Sequence, residues 1–280
     1  MNSKKVSSPR ETALVTGASS GIGADIAREL AARKYDLVLT ARRLDRLEAL
    51  EAEIEAKHSV EVHTVAEDIG TTEGVLALIR RVDALGRDIS FLVNNAGFGV
   101  YGDFLDNDDQ RVAQMLQLNI ATLTALTSHF GRGMRERGRG RILQVASVGA
   151  FQPSPYYAAY SATKAYVLFL SEAMHHELAG SGVTVTTLCP GLTATEFHEV
   201  AAHPKTGLVA LTMMTSESVA RIAVRSTLRG KAVVTPGFAN QATGLFVKLI
   251  PRSLATALGG MLMRPPRAAR DKPAAAAKAA

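Results

Sequence analysis

Seven short apolar runs alternate with longer helical patterns along most of this chain, and that alternation narrows the fold more than any other feature. The runs are TALVT from residue 12, DLVLT from 36, VEVHTVA from 60, ISFLVN from 89, RILQVAS from 141, VTVTTLC from 183 and KAVVTP from 231. Between them the pattern predicts helices over roughly 21–33, 43–57, 71–86, 108–136, 157–180 and 215–229. Near-continuous apolar strands joined through helices imply right-handed crossovers and a parallel sheet buried on both faces. Residues 11–235 therefore read as one doubly wound α/β domain of about seven strands, with helices on both faces.

The ends of the chain read differently. Residues 1–10 are expected to be a flexible N-terminus, and 265–280, PPRAARDKPAAAAKAA, a disordered tail. Between them lies an apolar and basic C-terminal extension, 236–264. Its longest uncharged run, 253–263, is far short of the roughly 20 residues that cross a bilayer. Leu245, Phe246, Leu249 and Ile250 fall at helical spacing beside Lys248 and Arg252. That pattern suits an element that caps a cleft, packs on its own domain or a partner subunit, or makes peripheral contact with an anionic membrane surface.

Charge excludes one class of partner. The net charge is +6, but residues 221–280 hold 11 Lys/Arg and one acid, so the remaining 220 residues sum to −4. A mildly acidic body with no zinc-finger spacing and no aromatic interleaving is not a nucleic-acid binder. The one cysteine, Cys189, cannot form an internal disulfide, and residues 1–11 carry no apolar signal-peptide core. A reducing cytoplasm is the expected location. Cys189 reads as an inert buried thiol. His175 and His176 read as solvated or capping side chains, and no metal is expected.

The first strand runs into TGASSGIG and then an amphipathic helix. Gly17, Gly21 and Gly23 let backbone N–H groups and a helix N-terminus approach a pyrophosphate. An NAD site commonly sets an acid at the end of the second strand to hold the ribose 2′-hydroxyl. Here that strand ends in Arg42 and Arg43, which suit a 2′-phosphate, so NADP(H) is the expected cofactor, with Arg42 the first choice for the contact. Further on, AAYSATKAY places Tyr160 and Lys164 one helical turn apart on one face.

With TGASSGIG, NNAG at 94–97 and YSATK in this order, residues 10–230 resemble the short-chain dehydrogenase/reductase family, which has a Rossmann fold. The resemblance implies that Gly17, Ser19, Ser20, Gly21, Ile22 and Gly23 form the phosphate loop. It sets Asp68, with Ile69, against the adenine, and Asn94, Ala96 and Gly97 on the adenosine side. In CPGLTATEF it brings Pro190, Gly191 and Thr193 near the nicotinamide. It implies a catalytic set of Asn119, Ser147, Tyr160 and Lys164. Tyr160 is then the acid/base, with its pKa lowered by the Lys164 ammonium, and Lys164 holds the ribose hydroxyls. Ser147 donates to the substrate oxygen, and Asn119 supports a water-mediated proton relay. The family also implies a homodimer or homotetramer through the helices at 108–136 and 157–180.

The substrate rim is expected from 97–104, 149–157 and the segment after Pro190, where open α/β sheets bind ligands. Phe98, Val100, Tyr101, Phe104, Phe151, Tyr156 and Tyr157 make it aromatic, with no Arg or Lys to hold a carboxylate. A lipophilic ketone or aldehyde is the expected small-molecule substrate. Alcohol oxidation, and NADP(H) sensing without turnover, are the alternatives.

Overall fold

The runs and helical stretches form the expected layers in the computed structural model, which describes residues 10–194 and 213–264. The first half runs β1 (Thr12–Thr16), α1 (Gly21–Ala31), β2 (Asp36–Ala41), α2 (Leu44–Lys57), β3 (Val62–Ala66), α3 (Thr72–Asp83) and β4 (Ile89–Asn94). The second continues with α4 (Asp109–Leu116), α5 (Leu123–Glu136), β5 (Gly140–Val145), α6 (Ala158–Glu177) and β6 (Val183–Leu188). After these come β7 (Thr193–Ala194), β8 (Met214–Thr215), α7 (Ser216–Leu228), β9 (Val233–Val234), α8 (Phe238–Leu249) and α9 (Arg252–Met263).

Seven strands pair in the order β3-β2-β1-β4-β5-β6-β9, every pair parallel. Every residue of β1, β2 and β4 is buried, which is why these runs read as continuous rather than alternating. Successive residues feed opposite layers: Ala13 and Val15 join a core under α1, α2 and α7, whereas Leu14 joins one under α3 and α5. Because all strands run one way, the loops after β1, β4, β5 and β6 emerge along a single edge. The chain order reverses between β1 and β4, the position at which such sheets bind ligands.

Two departures, and one arrangement the sequence pattern allowed, matter for the site. The expected helix over 108–136 is interrupted by a π-helical turn, Gln117–Thr122, which holds the buried Asn119. An inserted π turn shifts the register of one face, a change no hydrophobic period reports. KAVVTP forms only two residues of strand, paired with Thr187 and Leu188, and the small β7–β8 ladder was not expected. Thirdly, the extension folds back on the domain as the α8–α9 hairpin. The expectations for residues 1–9 and 265–280, and for the Pro-Gly loop beyond Ala194, fall outside the described residues.

Candidate active site

A cavity of about 730 Å³ opens along that edge. One end is the turn after β1. Gly17 and Gly21 hold positive φ of 66° and 55°. A Cβ on Gly17 would meet the Ala96 backbone at 2.9 Å, and one on Gly23 would meet the Gly17 carbonyl at 2.3 Å. The turn is thus pressed against the next loop and against α1. The N-cap of α1, Ser20, makes no side-chain cap bond and the first turn carries no acid, so its N–H groups face the cavity unopposed by negative charge.

Arg42, Arg43, Asp68 and Ile69 line the same end. Arg43, not Arg42, reaches the loop: its Nη2 donates to Ser19 Oγ at 3.1 Å and to Ser20 Oγ at 3.2 Å. Arg42 is exposed, and its charge lies close enough to Arg111 to help burial pull that guanidinium's pKa down. Asp68 Oδ1 accepts from Gly70 N–H at 3.0 Å, shaping the turn before α3.

At the other end stand Ser147, Tyr160 and Lys164. Ser147 follows β5 and caps the short turn Val148–Ala150, its Oγ accepting from Gly149 N–H at 3.1 Å, and Tyr160 shares a hydrogen bond with it. Burial pushes the Tyr160 phenol up to about 12, against the smaller downward pull of Ser147. Lys164 is buried beside it, its Nζ donating to the Val145 carbonyl at 2.8 Å and lying 5.8 Å from the Tyr160 ring centre. Burial also brings the Lys164 ammonium down to about 8. The expected lowering of the phenol by Lys164 is therefore not what governs here: desolvation outweighs it.

Asn119 is braced rather than free. Its Nδ2 donates to the Phe98 carbonyl at 2.9 Å and to Thr163 Oγ1 at 3.1 Å, while Oδ1 accepts from Phe98 N–H at 3.2 Å. Thr163 in turn donates to the Tyr160 carbonyl at 2.7 Å. Both amide hydrogens are engaged, so the side chain ties the loop after β4 to α6.

The expected residues mostly converge. Gly17, Ser19, Ser20, Gly21, Ile22, Ala96, Gly97, Pro190, Gly191 and Thr193 all line the cavity. Asn94 does not: it is buried under the sheet, donating to Thr127 Oγ1 of α5 at 2.9 Å. The strand's alternation sends Asn94 down and leaves Asn95 to face the loop, where its Nδ2 donates to the carbonyls of Thr16 and Gly17. NNAG made either asparagine available; only the strand's phase separates them. Gly23 lies behind the loop as a packing contact.

Of the aromatic rim, Phe98, Phe151 and Tyr157 line the cavity, whereas Val100, Tyr101, Phe104 and Tyr156 do not. Tyr101 packs on Tyr157 with ring centres 5.0 Å apart, and its hydroxyl donates to the Met263 carbonyl at 2.8 Å. A basic side chain from outside those segments, Arg111 of α4, also lines the cavity and stacks 4.0 Å over Phe98, at the end occupied by Arg42. The α8–α9 hairpin supplies Asn240, Thr243, Gly244, Val247, Leu262 and Met263 to the wall. Capping of a cleft was among the roles its apolar pattern allowed, but these wall residues were not singled out.

Outside the cavity, Cys189 is buried, and burial pushes its thiol up to about 12, leaving it unreactive. His175 is half-buried, its Nδ1 paired with the Val185 carbonyl at 2.7 Å, so it anchors α6 to β6 rather than facing solvent; His176 is exposed. Among the described residues no group of three or more His, Cys, Asp or Glu could hold a metal.

A parallel sheet with a glycine cradle at its switch point defines a dinucleotide-binding α/β protein. A family model described as short chain dehydrogenase matches residues 11–206. The chain belongs to that family. It is 36% identical over 194 residues to a Bos taurus very-long-chain 3-oxoacyl-CoA reductase, covering 68% of this chain and 62% of the bovine protein. The chain thus spans less than two thirds of that relative's length. Among solved structures it is similar to a Sphingobium yanoikuyae short-chain dehydrogenase in complex with NADPH, at 32% identity and a TM-score of 0.76, covering 92% of this chain and 97% of that one. It is also similar to a Comamonas testosteroni alcohol dehydrogenase specific for bulky-bulky ketones, at 27% identity and a TM-score of 0.74, covering 93% and 97%.

Proposed function

We propose that this chain is an NADP(H)-dependent reductase of lipophilic ketones or aldehydes, with Tyr160 as the proton donor. The carrying observation is that the glycine cradle, Arg43 and the Ser147–Tyr160–Lys164 group share one cavity. Support for the substrate class comes from two relatives whose names specify ketone or 3-oxoacyl substrates, and from the apolar wall of Phe151, Val247, Leu262 and Met263.

The residues present fit the dinucleotide. The cradle from Gly17 to Ile22 takes the pyrophosphate on backbone N–H groups, and Arg43 with the Ser19 and Ser20 hydroxyls takes the 2′-phosphate. Lys164 would hold the ribose at the nicotinamide end, where Pro190, Gly191 and Thr193 also line the cavity. NADPH, when bound, supplies the hydride. Ser147 and Tyr160 hold the acceptor oxygen between their hydroxyls. Tyr160 gives its proton to that oxygen as it gains alkoxide character, and a phenol held near 12 keeps the proton to give at neutral pH. Lys164, charged below about pH 8, then stabilises the phenolate left behind. Asn119 acts as a brace between loop and helix.

Leu116 on α4 and Tyr166 and Phe169 on α6 are exposed apolar side chains. They support self-association through those two helices.

NADPH consumption by the purified protein against apolar ketones, apolar aldehydes and small keto acids tests the reading. Turnover is expected with the apolar carbonyls. A preference for small charged keto acids would overturn the substrate class, and NADPH binding with no turnover in either direction would overturn the enzyme. Separately, Arg43→Ala removes a charge-assisted contact worth about 1.5–3 kcal/mol, so the NADPH dissociation constant should rise by roughly 10–150-fold while that for NADH stays level. Equal weakening of both cofactors would move the 2′-phosphate elsewhere.

A further inference from the structure

The α8–α9 hairpin is amphipathic in the wrong sense for a helix pair covering a soluble domain. Where it packs closely on the domain its residues are small: Gly244 lies against the Phe151 ring, Ala255 is buried, and Gly259 and Gly260 lie against Gln152 and Pro155. Its outward faces are large and apolar. Phe238, Leu245 and Leu249 form one stripe at i, i+7 and i+11, and Leu254, Leu258 and Met261 form another at i, i+4 and i+7. Among the described residues sixteen large apolar side chains are exposed, and eight of them belong to these two helices. Such concentration on one element marks an interaction surface rather than ordinary scatter.

Charge selects the occupant. From Lys231 to Arg264 the sequence has four cations and no acid, and residues 265–280 add four more cations against Asp271 alone. A second copy would bring cations against cations. An acidic lipid headgroup layer with an apolar interior matches both the stripe and its flanks. The face is continuous with the cavity, because Leu262 is 77% exposed and also lines it. No helix among the described residues is long and apolar enough to cross a membrane, so the contact is peripheral.

We propose that the α8–α9 hairpin seats this protein on an anionic lipid surface, with the mouth of the cavity at the headgroup boundary. Entry of a lipid-dissolved carbonyl by that mouth rests on the reductase reading above; the docking itself does not. The full chain is tested by co-sedimentation with vesicles of phosphatidylcholine alone and with about 30 mol % phosphatidylserine. Binding to the anionic vesicles is expected to be at least about tenfold tighter, and to weaken in about 0.5 M salt. Leu249→Glu with Met261→Glu should cost at least about tenfold in that binding while NADPH affinity, which reports the fold, stays within about twofold. A second variant, Arg252→Glu with Arg264→Glu, should remove the preference for anionic over neutral vesicles. Absence of binding to both vesicles overturns the proposal. So does a wild-type dimer that the apolar-to-acid pair turns monomeric with no vesicle binding in either protein, since the stripe is then a contact between copies. Turnover is not part of the readout, so an inactive protein that binds vesicles would sink the reductase and keep the docking.

Discussion

Tyr160→Phe is expected to lower kcat by about three orders of magnitude while leaving the NADPH dissociation constant within about twofold. The ring stays, so the packing against Tyr157 survives, with ring centres 5.7 Å apart in the native protein. What goes is the proton donor and the hydrogen bond with Ser147. General acid catalysis contributes about 10²–10⁴-fold, and the neighbouring Tyr157 phenol, whose pKa burial raises further than that of Tyr160, is the weaker donor. The cofactor cradle lies at the opposite end of the cavity and is untouched. Single-turnover NADPH consumption beside a fluorescence titration separates the two quantities. Activity within tenfold of the native protein would remove Tyr160 from the chemistry. The pH profile adds an independent check. With the phenol near 12 the donor stays protonated across the neutral range, so reduction should hold level until Lys164 begins to lose its proton near pH 8, and then fall.

Lys164→Met should abolish turnover and, at pH 7, make the protein more stable. The ammonium is buried with the Val145 carbonyl as its partner, and burial brings its pKa from 10.5 down to about 8. Below about pH 8 the lysine is protonated in folded and unfolded chains alike, and the folded state bears the whole cost of the buried charge. Between about 8 and 10.5 the unfolded chain holds a proton that the folded chain has released, so stability rises with pH through that window. At 1.36 kcal/mol per unit the cost below pH 8 is about 3 kcal/mol, and leaving the Val145 carbonyl unpaired returns about 1 kcal/mol of it. Methionine should therefore gain on the order of 2 kcal/mol at pH 7, a rise of several degrees in Tm, shrinking toward zero by pH 10. A Tm difference that grows with pH would contradict the burial argument. The expected gain would mean that the site holds its lysine at the expense of stability, as functional sites commonly do.

Most of the layer order was legible because it depends on local periods: Val15 and Leu39 read as buried strand whatever surrounds them. The phosphate loop and the Tyr160–Lys164 pair were legible for the same reason, since each fits within one turn of chain. What escaped depends on phase or on distance. Asn94 and Asn95 differ only in which face of β4 they meet. Arg42 and Arg43 differ only in which one α2 turns toward the serines. Arg111 lies about seventy residues from Arg42 in the chain, yet their charges come within range of each other only in the folded cavity. Asn119 was expected in a helix interior, but its amide is spent on Phe98 and Thr163 through a π turn that no apolar pattern encodes. The hairpin's inward glycines carry no hydrophobic signal at all.

The hairpin also sets an order of assembly. Among the described residues, those lining the coenzyme end of the cavity precede Ala194, whereas the wall over Phe151 comes from Asn240 onward. A ribosome making this chain therefore exposes these groups tens of residues before the hairpin wall can exist. The coenzyme end of the cavity is thus synthesised first, and the hairpin that walls the opposite end is finished last.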